Sequence, residues 1–144
     1  MSYPGGLDAI IDLFEHLPDL EKRETLITYA ESSGQCAPRE GEQFELEDVR
    51  KDEECTDTVG VFLRVEDGRA HLRVSLGPRV QTLTRALTSI LCRGLEGCDL
   101  SEVEACPQDV VPAIVGSELV RLRSRTVYYV LARMKAAVKL YGEH

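Results

Sequence analysis

The sequence predicts one α+β domain over residues 1–144, with helices packed on one face of a small antiparallel β-sheet. Three observations lead to this fold class. Apolar residues recur at helical spacing near both ends of the chain, the middle alternates between apolar and polar residues, and an Asp-Gly pair divides that middle stretch. A length of 144 residues suits a single domain with one core.

Two helices are expected at the start of the chain. The first covers LDAIIDLFEHL and stops at a proline. The second covers LEKRETLITYAES, with Leu26, Ile27 and Ala30 facing inward and Gly34 at its C-cap. The acidic segment that follows, residues 35–54, has no clear period and is expected to be an extended loop, of which QFELEDV could form a third strand.

The clearest local pattern is that of a β-hairpin. The Asp67-Gly68 pair favours a tight primed turn, and His71 falls on the polar face, where a solvated side chain is expected rather than a general base. Because an isolated hairpin is marginal in water, its apolar face must be covered by other elements. The residues on that face are Val59, Val61, Leu63 and Val65, followed by Ala70, Leu72, Val74 and Leu76.

Further helices are expected after the hairpin. A long helix should begin with Pro78 in its first turn and end at Gly94, and Ser101 with Glu104 has the spacing of a capping box. The prolines expected to divide the next segment into short helices are Pro107 and Pro112. The terminal helix should carry an apolar stripe formed by Val127, Val130, Leu131, Met134 and Val138.

The composition narrows the classes of partner and the location. A net charge of -8 and a pI of about 4.9 disfavour nucleic acid and anionic membranes as partners. No apolar run reaches the length of a membrane span, and the N-terminus lacks the basic region of a signal peptide. An odd number of irregularly spaced cysteines then predicts reduced thiols in the cytoplasm. These are Cys36, Cys55, Cys92, Cys98 and Cys106.

The sequence predicts no metal site and no cofactor in this chain. There is no CxxC pair, and Cys92, Cys98 and Cys106 do not have the spacing of a zinc site. The histidines, at positions 16, 71 and 144, show no ligand spacing either, and no segment has the Lys-Ser/Thr of a phosphate-binding loop. No role follows from the sequence for any cysteine other than Cys55.

Cys55 stands directly before the first strand of the hairpin, where a loop can present a side chain. Asp52, Glu53 and Glu54 precede it, and their negative charge should keep its thiol protonated. From these residues alone, an inert loop cysteine and a functional thiol both remain possible.

Nearly the whole chain resembles one family in the order and spacing of its segments. The stretch ECTDTVGVFLRVEDGRAHLRV is similar to the cysteine-then-hairpin segment of the SufE family of sulfur-acceptor proteins. LRSRTVYYVLARM places Arg123 at the arginine of that family's terminal-helix motif. The paired opening helices and the long helix after the hairpin also correspond.

The chain departs from the family's motifs at several positions. Glu54 replaces the glycine before the cysteine, Asp57 replaces the serine two residues after it, and Thr126 stands where glycine is common. The Ser-Asp pair that often precedes the long helix is absent. Only Cys55 and Arg123 are therefore carried over as site residues.

The resemblance implies a fold like that of the iron–sulfur scaffold proteins, and a task. The protein would accept persulfide sulfur on Cys55 from a pyridoxal-phosphate-dependent cysteine desulfurase of the SufS type, stimulate that enzyme, and deliver the sulfur to a SufBCD-like iron–sulfur scaffold complex. It would be a sulfur-transfer protein and activator rather than a stand-alone enzyme, with Arg123 contacting the partner. The cofactor would belong to the desulfurase.

Two other classes of function remain open. One is an iron–sulfur or zinc scaffold, in which Cys55 binds metal together with cysteines that folding brings close. The other is an interaction domain without thiol chemistry, for which substitution of Cys55 would have no effect.

Overall fold

The computed structural model describes residues 3–51, 58–115 and 125–142, and it confirms the α+β fold class. The described buried apolar residues, apart from Val80, form one cluster. In chain order the elements are α1 (Leu7–His16), α2 (Asp19–Glu31), a 3₁₀ turn (Ser33–Cys36), β1 (Leu46–Lys51), β2 (Thr58–Glu66), β3 (Arg69–Leu76), α3 (Thr82–Gly94), α4 (Leu100–Glu104), α5 (Val110–Val115) and α6 (Arg125–Gly142).

The described strands form a three-stranded antiparallel sheet in the order β1-β2-β3. The expected hairpin is confirmed, because β2 pairs with β3 from Val59↔Leu76 to Glu66↔Arg69. Asp67 and Gly68 both adopt a positive φ, 54° and 76°, as a primed two-residue turn requires. The expected third strand is also present, since β1 takes up part of QFELEDV.

Helices cover the apolar face of this sheet. α3 packs on β3, while α6 packs on β1 and β2. The alternating residues at the centre of the hairpin are 0–2% exposed, which confirms the period-two reading; they are Val59, Val61, Leu63, Ala70, Leu72 and Val74. α1 packs against α3 and α5, α2 against α3, and α4 against α6, so α3 lies at the centre of the helical layer.

The second helix differs from its expected form. It ends at Glu31, and Gly34 lies inside the 3₁₀ turn rather than at a helix C-cap. Leu26 and Ala30 are buried as expected, but Ile27 is 50% exposed. The inward assignment of Ile27 was wrong because α2 buries only a narrow stripe against α3, and the adjacent helix positions face solvent.

The start of α3 was also placed wrongly. The helix begins at Thr82, because residues 77–80 form a turn in which the amide of Val80 donates to the carbonyl of Gly77. Pro78 therefore belongs to that turn and not to the first helical turn. The predicted end at Gly94 is confirmed.

The predicted capping box and the predicted role of Pro112 also differ from the structure. The capping box of α4 pairs Asp99 with Glu102, two residues earlier than predicted. Pro112 lies within the first turn of α5, where no helical amide hydrogen bond is missed, so it does not divide the segment there. No helix among the described ranges is long and apolar enough to cross a membrane.

Candidate functional site

Both predicted site residues lie outside the described residues, Cys55 within 52–57 and Arg123 within 116–124. The described strands nevertheless fix where the chain leaves and re-enters the sheet around Cys55. Lys51, the last residue of β1, is the direct partner of Thr58, the first residue of β2. The amide of Gly77 donates to the carbonyl of Thr58 at 3.1 Å. We call this end of the sheet, formed by Lys51, Thr58 and Gly77, the Cys55 end.

A buried arginine from the terminal helix holds the two strands together near the Cys55 end. The side chain of Arg133 is only 2% exposed. Its Nη1 donates to the carbonyl of Val59 at 2.8 Å, its Nε donates to Oδ2 of Asp48 at 3.1 Å, and its Nη2 donates to the carbonyl of Asp48. One guanidinium therefore binds β1 and β2 at once, close to where each strand meets the segment that contains Cys55.

The burial of Arg133 is chemically reasonable because its charge and its donors are matched. Asp48 supplies an ion pair, and the two carbonyls satisfy further N–H groups of the planar guanidinium. The guanidinium also lies 5.6 Å from the ring centroid of Tyr129. Sequence reasoning missed Arg133, although its position three residues after the buried Val130 places it at the edge of the apolar stripe of α6.

A second arginine fixes the connection between β3 and α3 at the same end of the sheet. Nη2 of Arg85 donates to the carbonyl of Gly77 at 2.6 Å, and its Nε donates to the carbonyl of Val80 at 3.2 Å. Since Gly77 in turn bonds to Thr58, the start of β2 is tied to the N-terminal turn of α3. The Cys55 end is thus held by α6 on one side and by α3 on another.

These contacts fix the two strand ends between which the segment with Cys55 runs. Functional side chains act best when the elements that flank them are rigid. Here the flanking positions, Lys51 and Thr58, are paired with each other and tied through their neighbours to two helices. Among the described residues, no group of three or more His, Cys, Asp or Glu side chains is placed to hold a metal ion.

The four described cysteines are buried and free of disulfides. Burial raises the pKa of Cys106 to about 11 and is the main cause of the raised pKa of Cys98. Cys36 is different, because a hydrogen bond with Cys92 is the main cause that lowers its pKa to about 6. Sequence reasoning gave Cys36 no role, and its neighbours come from distant parts of the chain.

His71 is held in an ionic cluster and is not the freely solvated side chain that was expected. Its Nδ1 contacts Oε1 of Glu96, and Nη1 of Arg73 lies 3.1 Å from the other oxygen of the same carboxylate. Glu96 follows α3 in the chain, so its contact with the strand forms only in the folded protein. The expectation was wrong for that reason. The side chain of His71 is 20% exposed.

Comparison with known proteins identifies relatives in fold. No protein-family model and no curated protein matches the sequence significantly. The structure is similar to the solution structure of a hypothetical protein from Thermus thermophilus, with a TM-score of 0.80, 24% sequence identity, and coverage of 99% of this chain and 100% of the other. It also resembles the N-terminal part of a nitrogen-fixing NifU-like protein from Brucella abortus, with a TM-score of 0.60, 14% identity, and coverage of 88% and 99%. At these identities, the likeness establishes a shared fold.

Proposed function

We propose that this protein is a sulfur acceptor and carrier of iron–sulfur cluster assembly, with Cys55 as its acceptor thiol. It takes persulfide sulfur from a pyridoxal-phosphate-dependent cysteine desulfurase, stimulates that enzyme, and passes the sulfur to an iron–sulfur scaffold complex. The fold that the chain shares with the NifU-like domain supports the general role. The resemblance of its segments to the SufE family supports the specific one.

The observation that carries the proposal is the arrangement of the two strands that flank the segment containing Cys55. These strands pair directly with each other, and Arg133 binds Asp48 on β1 and Val59 on β2. A carrier must hand its thiol to two different partners in turn. A short connection on a rigid frame meets that need, since the frame keeps its shape while the segment is engaged.

The transfer itself is a thiol–disulfide type of exchange. The Cys55 thiolate attacks the terminal sulfur of the desulfurase persulfide, a new S–S bond forms on Cys55, and the old S–S bond breaks. The desulfurase cysteine leaves as a thiolate, and the sulfane sulfur remains on Cys55. Delivery to the scaffold repeats the same step, with Cys55 as the leaving thiolate.

The acidic residues before Cys55 keep the thiol of the carrier protonated and unreactive between its two partners. Asp52, Glu53 and Glu54 disfavour the thiolate, which is the form that oxidants attack. A basic surface on the desulfurase would neutralise these charges on docking and restore the thiolate. One pKa unit corresponds to ~1.4 kcal/mol, so neutralising two or three carboxylates that together disfavour the thiolate by about this amount raises the thiolate fraction about tenfold.

The test is intact-mass analysis of the full chain after mixing with a SufS-type cysteine desulfurase and cysteine. The expected result is a gain of one sulfur atom that Cys55→Ser abolishes. Cys106→Ser is the matched control, because Cys106 is buried with a raised pKa, and it should leave the gain intact. A chain that gains no sulfur, or that gains it equally in Cys55→Ser, contradicts the proposal.

The NifU-like fold also favours a second candidate, a metal-binding scaffold. In that case Cys55 would bind iron or zinc with other side chains rather than carry sulfur. Elemental analysis of freshly purified protein separates the two candidates. A carrier should contain no stoichiometric metal, whereas a scaffold should contain metal that Cys55→Ser removes.

A further inference from the structure

A second thiol lies in a groove at the other end of α3, away from the turn that ties this helix to the Cys55 end. Cys36 closes the 3₁₀ turn, is 5% exposed, and lines a groove of about 300 Å³. The remaining residues that line the groove are Gln35, Arg39, Arg73, Cys92, Arg93 and Glu96. The sulfur-carrier function proposed above does not use this site.

Folding brings a second cysteine to the groove of Cys36. Cys92 lies on α3, is 2% exposed, and lines the same groove as Cys36. Oγ of Ser89, one helical turn before Cys92, lies 3.8 Å from Sγ of Cys36. The two cysteines are far apart in the sequence, and the packing of the 3₁₀ turn on α3 places them together.

The groove favours negative charge on Cys36. The hydrogen bond with Cys92 lowers the pKa of Cys36 most, and Ser89 and the charge of Arg93 act in the same direction against burial. The hydrogen bond with Cys36 and burial raise the pKa of Cys92 well above its ordinary value. Within the pair, ionisation is therefore favoured at Cys36 and disfavoured at Cys92.

The other charged groups around the groove are mostly positive. Arg39 follows the 3₁₀ turn, and Arg73 lies on β3. Nη2 of Arg93 donates to Oε1 of Gln35 at 3.2 Å. Glu96 is the acidic residue of the lining, and its carboxylate already faces Arg73 at 3.1 Å. A cysteine whose ionisation is favoured, a second cysteine and a small groove that both of them line thus occur together.

We propose that Cys36 and Cys92 form a peroxide-sensitive thiol pair, in which a small hydroperoxide enters the groove, oxidises Cys36, and leaves a Cys36–Cys92 disulfide. In the first step the Cys36 sulfur attacks the peroxide, an S–O bond forms, and the O–O bond breaks. Cys36 becomes a sulfenic acid, and the leaving hydroxide becomes water by taking up the proton that the Cys36 thiol released to solvent on ionising.

In the second step the sulfur of Cys92 attacks the sulfenic sulfur of Cys36. The S–S bond forms, the S–O bond breaks, and the hydroxyl group leaves as water with the proton of Cys92. With hydrogen peroxide, two thiols are oxidised by two electrons in total and the peroxide is reduced to two molecules of water. The product ties the 3₁₀ turn to α3.

Two other cysteines serve as internal controls for this chemistry. Cys98 and Cys106 have raised pKa values, and their thiols face main-chain carbonyls, those of Gly94 at 3.8 Å and Pro107 at 3.9 Å. Both should stay reduced under conditions that oxidise Cys36. Selectivity for the Cys36 pair is therefore part of the proposal.

The experiment uses the full-length Cys55→Ser chain, so its outcome does not depend on the sulfur-carrier function. The reduced protein is treated with hydrogen peroxide, alkylated and digested with trypsin, which separates Cys36 (residues 24–39), Cys92 (residues 86–93) and the remaining pair (residues 94–121). The expected product is a linked pair of peptides 24–39 and 86–93, lighter by two hydrogen atoms than their sum and cleaved by reductant. Peptide 94–121 should remain fully alkylated.

The variants decide the assignment. Cys36→Ser and Cys92→Ala should each remove the linked product, while Cys106→Ala should keep it. Cys92→Ser provides a second form should the alanine variant not fold, as judged by circular dichroism. Peptides 24–39 and 86–93 that remain free and reduced while 94–121 is oxidised would overturn the proposal, as would linkage of Cys36 to any other cysteine.

Discussion

The two thiols to which a reaction is assigned, Cys55 and Cys36, differ in the origin of their surroundings. The charges nearest to Cys55 along the chain are its own sequence neighbours, and they are negative. The groups around Cys36 come from a helix, a strand and a turn that only the folded chain brings together, and three of those that line its groove are arginines. The first thiol is expected to be held protonated, whereas the second is stabilised as the thiolate.

This difference separates what a sequence can indicate from what it cannot. The acidic run before Cys55 can be read directly, and so can its position before a hairpin. Cys36 gave no signal, because Ser89, Cys92 and Arg93 approach it only when α3 packs on the 3₁₀ turn. The neighbours of Cys55 in the chain therefore predict a protonated thiol, whereas the neighbours of Cys36 in space favour its thiolate.

The comparison of the two thiols requires that the Cys55 end of the sheet stays folded. Among the changes considered, removal of the Arg133 side chain is expected to have the largest effect on stability. Arg133→Met should lower the free energy of unfolding by about 3–5 kcal/mol, because the carboxylate of Asp48 and the carbonyl of Val59 lose a buried, charged donor. Equilibrium unfolding in urea measures this. The matched control is Arg64→Met, whose partly exposed ion pair with Glu66 should cost only about 0–1 kcal/mol. Equal effects of the two substitutions would contradict the role given to Arg133.

The next effect concerns the pH at which Cys36 reacts. In the Cys55→Ser chain, alkylation of peptide 24–39 should follow a titration with a midpoint near the pKa of about 6, and Cys92→Ala should move that midpoint upward. The charged groups that line the groove with Cys36 are Arg39, Arg73, Arg93 and Glu96. A midpoint at the ordinary thiol pKa in both proteins would show that the thiolate of Cys36 is not favoured, and the contrast with Cys55 would not hold.

The same shift predicts how stability depends on pH. The pKa of Cys36 is lower in the folded chain than its ordinary value, so the unfolded chain binds more protons between these two values. The contribution of Cys36 to stability is therefore complete above the ordinary thiol pKa and is lost as the pH falls toward about 6. Cys36→Ala should flatten this part of the stability profile measured by urea unfolding. An unchanged slope would count against a thiolate at Cys36.

A smaller effect is expected from the charges that precede Cys55. The double substitution Glu53→Gln/Glu54→Gln should move the alkylation profile of Cys55 to lower pH and raise its thiolate fraction near neutral pH about tenfold, since two negative charges are removed. Glu15→Gln/Glu24→Gln, which removes two exposed charges from α1 and α2, is the control and should leave the profile in place. A profile that moves in neither protein would show that the acidic run does not tune this thiol.

The smallest effect on the fold is expected at Arg123. Arg123→Ala should leave the melting temperature nearly unchanged and weaken the stimulation of the desulfurase severalfold, if the arginine contacts the partner as the family resemblance implies. Lys139→Ala, an exposed change near the end of α6, should alter neither quantity. A large fall in melting temperature for Arg123→Ala would assign this residue to the fold instead.

Local patterns in the sequence predicted most of the fold correctly. The period-two stretch, the Asp-Gly turn and the apolar stripes gave both hairpin strands and the long helices, because burial of one face leaves a direct trace in the sequence. The errors were at positions that tertiary contacts decide. Pro78 lies in a turn that Arg85 braces, and Ile27 lies just outside the contact between α2 and α3.

The candidate site was predictable only in part. Cys55 could be singled out by its position and by a likeness that runs along the chain, but the buried Arg133 that secures its frame could not. An arginine beside an apolar stripe is normally read as exposed, and its partners on β1 and β2 are more than seventy positions away in the sequence. The Cys36–Cys92 pair was out of reach for the same reason.

We propose that sulfur is received on Cys55 and not on Cys36, although the pKa of the Cys36 thiol is lowered. The most direct measurement is peptide mapping of the wild-type chain after one cycle with a cysteine desulfurase and cysteine, followed by alkylation and tryptic digestion. Cys55 lies alone in residues 52–64, and Cys36 lies alone in residues 24–39. We expect one additional sulfur on peptide 52–64 and none on 24–39. Sulfur on 24–39 alone, or on neither peptide, would contradict it.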